Sequence, residues 1–416
     1  MNPIIKAFNA YTSINLVYRI IIGLLIGAAV GLLCRIGFGG SAGVAAIFDL
    51  FGALFVGALR AVAPILVFVL IAAAILLRDF KNIDGLKNVL FLYLIATFLA
   101  SCVGVGAAML FPVQITLTGL ESATTSAPGG LDSVLKNLLF NMVDNPFRAI
   151  ANANYIGIVV WAVALGVTLK YTSDTTKDVF RDLSEAITKI VQFVIQFAPI
   201  GVMGLIATSI YVTGKEGLIS YAKVTILLVV AMLFLALIIN PLITWFYIRK
   251  NPFPIVFTCY KESGVTAFFT RSSAANIPIN MNLCKKLNLD EEIYSISIPL
   301  GATVNMGGAA VVIAILSLCT AYTVGVEVSF FSALLLCTVA TLGACGASGV
   351  AGGSLMLIPL ACSLFGIDEA TAFQVVGIGV MIGVIQDSLE TAINSSTDVL
   401  FTAIASHRTG SDVEGI

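Results

Sequence analysis

The chain has 416 residues, of which 59% are hydrophobic and 11% charged, and its formal net charge is -1. Soluble domains carry about 25% charged residues, so a soluble globular enzyme and a disordered chain are both excluded, and the lack of a basic field excludes nucleic acid as a partner. A crossing needs about 20 apolar residues, which makes this an all-α polytopic membrane protein.

The first apolar run covers residues 16–34. The mixed segment before it, 1–18, has no cleavable signal and reads as an interfacial amphipathic helix. The second run, 44–77, is too long for one perpendicular span, and Pro64 predicts a kink in a tilted helix. The third is 89–111. A polar Thr/Ser/Gly stretch, 116–130, and a short helix lead to a run at 155–169. A long amphipathic segment, 176–213, breaks near Pro199, and another span covers 224–247. Basic residues cluster after alternate spans: Arg78, Lys81 and Lys87, then Lys170, Lys177, Arg181 and Lys189, then Arg249, Lys250 and Lys261. Residues 113–135 have none, and the loop after the fifth span has Lys215 and Lys223. The positive-inside rule puts the N-terminus in the cytoplasm, and an even number of spans returns the C-terminus there.

The second half is patterned differently. Residues 255–284 are apolar but interrupted by a polar stretch, 270–278, containing Arg271, Ser272, Ser273 and Asn276. Each half is too short to cross, which predicts a re-entrant hairpin with a polar tip. The span 296–322 is interrupted at Asn305-Met306-Gly307-Gly308. The run 330–364 is broken by a Gly-rich stretch from Gly343 to Ser354, a second hairpin with a flexible gate. That stretch lacks the ending of a phosphate loop. The last span is 372–404. The pattern of a hairpin followed by a broken helix is thus read twice, at 255–322 and at 330–404, and paired interruptions of this kind point to a transporter binding site.

The last span carries the chemistry. Asp387, Glu390, Thr391, Asn394 and Asp398 share one helical face. Carboxylates inside a membrane are costly and face a cavity or a partner, and together they suit a cation and an ammonium group. Arg271 is the one basic residue between Lys261 and Lys285 and can anchor a carboxylate. The single histidine, His407, reads as a solvated residue of a polar C-terminal tail, so no histidine metal cluster or Ser-His-Asp triad is available in the core. The eight cysteines are scattered without a C-x-x-C, which points to neither zinc nor a disulfide framework.

These motifs resemble the dicarboxylate/amino acid:cation symporters, the group of the archaeal aspartate and animal glutamate transporters, and most closely their bacterial sodium/serine-threonine branch. Asn145-Pro146-Phe147 through Ala151-Asn152, Phe197-Ala198-Pro199-Ile200-Gly201, Arg271-Ser272-Ser273, Asn305-Met306 and the Asp387/Thr391/Asn394/Asp398 series carry the resemblance, which covers nearly the whole chain. It implies a homotrimer in the bacterial inner membrane, with eight transmembrane helices and two re-entrant hairpins in an elevator fold. Residues 1–250 would form the scaffold spans, with parts of spans 3 and 6 joining the transport domain at 251–408, and 409–416 would be a tail. Asp387 would hold the substrate ammonium and Asn394 its carboxylate, with Thr391 nearby. The Arg271-Ser272-Ser273 tip and the Val350 to Ser354 region would close over it. One sodium would sit at Asp398 with the carbonyls of Gly301, Asn305 and Asn394. A second would sit near Thr303, Met306 and the carbonyls of Ala344, Cys345 and Ala347.

The departures from the family pattern narrow the substrate. Members that carry acidic substrates have Arg where this chain has Glu390, and a buried Glu would repel a substrate carboxylate. Glu390 is expected to pair with Arg271 instead. The motif Asn-Met-Asp-Gly-Thr reads Asn305-Met306-Gly307-Gly308-Ala309. Tyr93 and Thr97 match a further ion site but Ala96 does not, so fewer sodium ions are expected. The expected function is sodium-coupled symport of small neutral amino acids, serine and threonine first, with no enzymatic activity. The alternatives are an acidic amino acid or dicarboxylate carrier, and a channel.

Overall fold

A computed structural model describes residues 11, 14, 16–37, 41–77, 86–117, 139–347 and 352–408. Among these residues every regular element is helical. The expected interfacial segment, Arg78, Lys81, most of the polar stretch before residue 131, and the tail from 409 fall wholly or largely outside them.

Helix α1, Leu16–Arg35, is apolar on all sides. It ends where the Arg35 guanidinium reaches the Tyr211 and Val212 carbonyls at 3.2 and 3.3 Å, a basic cap on the end of another helix. Helix α2, Ser41–Leu76, has 36 residues and passes through Pro64 without ending. It is longer than a bilayer core is thick, so it must tilt. Helix α3 is Leu86–Leu110. Short α4, Pro146–Ala151, starts at Asn145, whose side chain accepts from the Phe147 and Arg148 amides, with proline in the first turn. This part of the Asn-Pro-Phe motif is therefore a helix start. Helix α5 is Tyr155–Leu169.

Helices α6, Asp174–Ile195, and α7, Ala198–Thr213, meet at a 49° bend. Pro199 lies in the first turn of α7, where its missing N–H costs nothing. Gly23, Gly27 and Gly31 repeat every four residues along α1 and lie against the α7 backbone. A Cβ on Gly31 would stand 2.7 Å from the Ala207 carbonyl oxygen, so only glycine permits this approach. Helix α8, Lys215–Phe234, runs through one π-helical turn, Leu235–Ile239, into α9, Asn240–Ile248.

The first predicted hairpin and the two arms of the second are present, while residues 348–351 of the second tip lie outside the described residues. In the first, α10, Phe253–Cys259, and α11, Val265–Thr270, are joined by a π-helical turn and rise to Arg271. There the backbone turns left-handed, φ +52°, and α12, Ser273–Lys286, returns. Helices α13, Glu291–Val304, and α14, Gly307–Thr323, are the two halves of the interrupted span. In the second hairpin, α15, Phe330–Ala344, descends to a turn; a short 3-10 turn, Ser354–Leu357, and α16, Ile358–Ser363, return. Helix α17, Glu369–Arg408, runs unbroken over 40 residues, so only the first hairpin is followed by a broken helix and the second expected break is absent.

Among the described residues six helical stretches, one of them the interrupted α13–α14 pair, are long and apolar enough to cross a membrane, and the bent α6–α7 pair makes seven. Helix α5, with 15 residues, is shorter than a perpendicular crossing. His407 does not lie in a solvated tail: it belongs to the last turn of α17, half-buried, and its Nδ1 is enclosed without a partner. The helix persists because Val399, Leu400, Phe401, Ala403, Ile404 and Ala405 are all buried. An ion pair, Arg60 Nε to Glu369 Oε2 at 2.8 Å, joins the middle of α2 to the start of α17.

Candidate functional site

The two hairpin tips and the break between α13 and α14 converge on the middle of α17. Its acidic face is buried there: Asp387, Glu390, Thr391, Asn394 and Asp398 are each 6% exposed or less. The helix therefore does not end early to leave these acids at a surface.

Asp398 sits where the broken span crosses α17. Its Oδ1 accepts from Asn305 Nδ2 at 3.0 Å. Asn305 Nδ2 also lies 2.8 Å from Thr397 Oγ1 and 3.4 Å from the Asn394 carbonyl. Asp398 Oδ2 is buried with no hydrogen-bond partner. A buried carboxylate oxygen with nothing on it is costly. Gly301 completes the cradle, since a Cβ there would stand 2.5 Å from Asp398 Oδ1 and 2.9 Å from the Tyr93 hydroxyl. An orphaned anionic oxygen in a cradle with no room for a side chain fits a small hard cation. Tyr93 itself is spent on structure: its hydroxyl lies 3.0 Å from the Asp398 carbonyl and 3.1 Å from Thr402 Oγ1. The Thr97 hydroxyl is spent as well, on the Tyr93 carbonyl at 2.7 Å.

One turn earlier, Asn394 ties the break to α17. Its Oδ1 accepts from the Gly308 amide at 2.7 Å, and its Nδ2 points to the Met306 sulfur at 3.3 Å. Asp387 is held from both hairpins. Arg271 Nε donates to Oδ2 at 2.6 Å, and the Gly352 amide donates to Oδ1 at 3.1 Å. Arg271 is 9% exposed and Asp387 2%, so this is a buried ion pair, in which neither charge can lose its partner cheaply. The three groups open onto a small cavity whose far wall includes Ile20 of α1, Phe55 and Leu59 of α2, and Ile195 of α6.

Glu390 does not pair with Arg271. Ser354 Oγ donates to its Oε2 at 2.8 Å, and Gln386 Nε2 donates to the same oxygen. Arg271 reaches the nearer Asp387 first, which leaves Glu390 to neutral donors. Thr391 bonds back to the Asp387 carbonyl at 2.7 Å. Ser272 caps α12 by accepting from the Ala275 amide at 3.2 Å, and Ser273 is buried behind it.

The residues expected to hold a second sodium are partly assembled. The Cys345 thiol donates to the Val304 carbonyl at 3.3 Å, which fastens the second hairpin to the end of α13. Thr303 and Cys345 line one cavity. Thr303 bonds back to Leu300 at 3.0 Å, Ala344 and Ala347 are buried, and Met306 faces Asn394. Val350 lies outside the described residues.

Asn276 and the region holding Gly352 belong to the sequence reading, whereas Gln386, Asn280, Ser395 and the role of the Gly352 amide escaped it. Gln386 stands one turn before Glu390 on the same face, a spacing that could have found it. The Gly352 amide has no side-chain signal. A buried seam, Asn276 Nδ2 to Ser395 Oγ at 2.8 Å and Asn280 Nδ2 to the Ser395 carbonyl at 3.0 Å, fastens the first hairpin to α17.

Residues 16–408 match the model of the sodium:dicarboxylate symporter family. The serine/threonine transporter SstT of Campylobacter jejuni strain 81-176 is 54% identical over 402 residues, 96% of this chain and 97% of that protein. The SstT of strain NCTC 11168 is also 54% identical, and that of C. jejuni subsp. doylei 52%, over the same shares.

Proposed function

The chain belongs to the sodium:dicarboxylate symporter family, and from that premise we propose that it couples sodium entry to the import of serine and threonine. The observation that carries this reading is the buried Asp398, with one carboxylate oxygen unpartnered beside Gly301 and Asn305. Asp398 with the carbonyls of Gly301, Asn305 and Asn394 would hold one sodium, and Thr303, Met306, Ala344, Cys345 and Ala347 a second. A bound ion there would supply the counter-charge that Asp398 lacks.

Asp387 holds the substrate ammonium, Asn394 its carboxylate, and Thr391 borders both. The Gly352 amide now occupies Asp387 Oδ1. An ammonium group that takes this oxygen displaces the second hairpin's tip, so substrate binding and gate position are one event. Arg271 keeps the other oxygen and prevents a bare carboxylate during exchange. Glu390 excludes acidic side chains by like charge, which disfavours an acidic amino acid or dicarboxylate carrier.

The architecture of the proposal has eight spans, with α5 as the short one and α6–α7 as a bent one, plus two re-entrant hairpins. Residues 1–250 form the scaffold, less parts of spans 3 and 6, and residues 251–408 move as an elevator in each protomer of a trimer. Both termini are cytoplasmic and the membrane is the bacterial inner membrane. In that orientation the cavity beside Asp387 faces the start of α1, the cytoplasmic side. Exchange of labelled serine across proteoliposomes, in sodium and then in potassium, tests this. Saturable exchange only with sodium supports a carrier; conductance without saturation supports a channel.

A further inference from the structure

We propose that Gln386, with Glu390 and Ser354, reads the side-chain hydroxyl of the substrate and sets the preference for serine and threonine over alanine. The inference rests on the symporter reading above and deepens it.

Gln386 is fully buried. With Glu390 as a carboxylate the amide faces it with its nitrogen, because a carboxylate accepts and does not donate. Gln386 Nε2 does donate to Glu390 Oε2, and Ser354 Oγ donates to the same oxygen. Gln386 Oε1 is then left buried with no partner at all. A buried amide oxygen in this state calls for a donor. Among the described residues none supplies one.

The groups of a small amino acid can be assigned by elimination. The ammonium has its charged acceptor in Asp387, one residue along α17, and the carboxylate can only accept, so the side chain is the group left to face Gln386. The remaining donor is a side-chain hydroxyl, which serine and threonine have and alanine lacks. The same subsite presents acceptors to an aspartate side chain, which brings no donor. Two acceptors on successive turns of one helix therefore favour a hydroxyl and disfavour both a methyl group and a carboxylate. Sites built to bond a hydroxyl reject the analogue without it far more strongly than apolar pockets reject an extra one.

The test is sodium-driven uptake in proteoliposomes of the full chain, with KM measured for serine, threonine, alanine and O-methylserine. O-methylserine keeps the oxygen and loses the donor. Wild-type protein should show a KM for serine at least about 10-fold below that for alanine and O-methylserine. Gln386→Met should raise the serine KM by about 10-fold and leave that of alanine unchanged. Equal KM values for serine, alanine and O-methylserine in the wild type overturn the inference, even if the variant does not fold. An equal rise for serine and alanine in Gln386→Met overturns it too, and marks Gln386 as structural. No sodium-dependent uptake of any of the four by the wild type overturns the symporter reading and this inference with it.

Discussion

Asp398→Asn is the substitution that isolates the proposed cation site. Asparagine keeps the shape and the acceptor for Asn305 Nδ2, bonded at 3.0 Å. It replaces the oxygen that is buried without a partner by an uncharged NH2 group, which cannot ligate a cation. Taking one partner from a buried charge pair costs about 3–5 kcal/mol, equivalent to weakening sodium about 100- to 4,000-fold. The assay is thermal unfolding of detergent-purified protein across a sodium series at constant ionic strength. At sodium 100 times above its Kd the wild type gains about 2.7 kcal/mol, or about 3 °C at the specific unfolding entropy of globular proteins and this length. Asp398→Asn should show no such shift. In sodium-free buffer the variant should melt at or above the wild type, because its uncompensated charge is gone. A sodium shift of wild-type size in Asp398→Asn would refute the placement of the ion.

Three further perturbations test the surrounding structure. Arg271→Ala strands the buried Asp387 and should lower stability by about 3–5 kcal/mol, with Arg271→Lys less damaging; melting curves of the two variants check this. Gly31→Val places side-chain atoms where a Cβ alone would meet the Ala207 oxygen at 2.7 Å, and should lower the melting temperature clearly, whereas the open Gly57 should tolerate alanine. Asp144 accepts from Arg148 at 2.6 Å and from Asn154 at 3.2 Å, and the Arg148 hydrogen bond holds its carboxyl below the ordinary range. The stability that this bond gives is present above the unfolded value near about 3.9 and is lost as pH falls through the lower folded value. Asp144→Asn should therefore melt below the wild type at pH 7, with the gap closing below about pH 4.

The apolar runs were legible because membrane crossing imposes length and composition together: α1, α3 and α5 begin and end within three residues of the predicted limits. The two hairpins were legible because each half is too short to span and the tips are polar or glycine-rich. The face of α17 followed from spacing alone. Which charges pair did not, since Arg271 stands on another element and the choice between Asp387 and Glu390 depends on distances that a sequence does not contain. The run around Pro64 was legible as one long helix, and α2 does continue through the proline, as helix packing can satisfy what proline leaves open. His407 looked like part of a tail because its neighbours Arg408 and Ser406 are polar, while the burial of α17 carries the helix past them.

The central claim is coupling of sodium to a neutral, hydroxylated amino acid. Its most direct test is uptake of labelled serine into proteoliposomes under an inward sodium gradient and then a potassium gradient, with unlabelled threonine and aspartate as competitors. The account predicts uptake only with sodium, blocked by threonine and not by aspartate, and blocked measurably by aspartate once Glu390 is changed to Gln. Uptake that proceeds equally in potassium, or that aspartate blocks in the wild type, would contradict it.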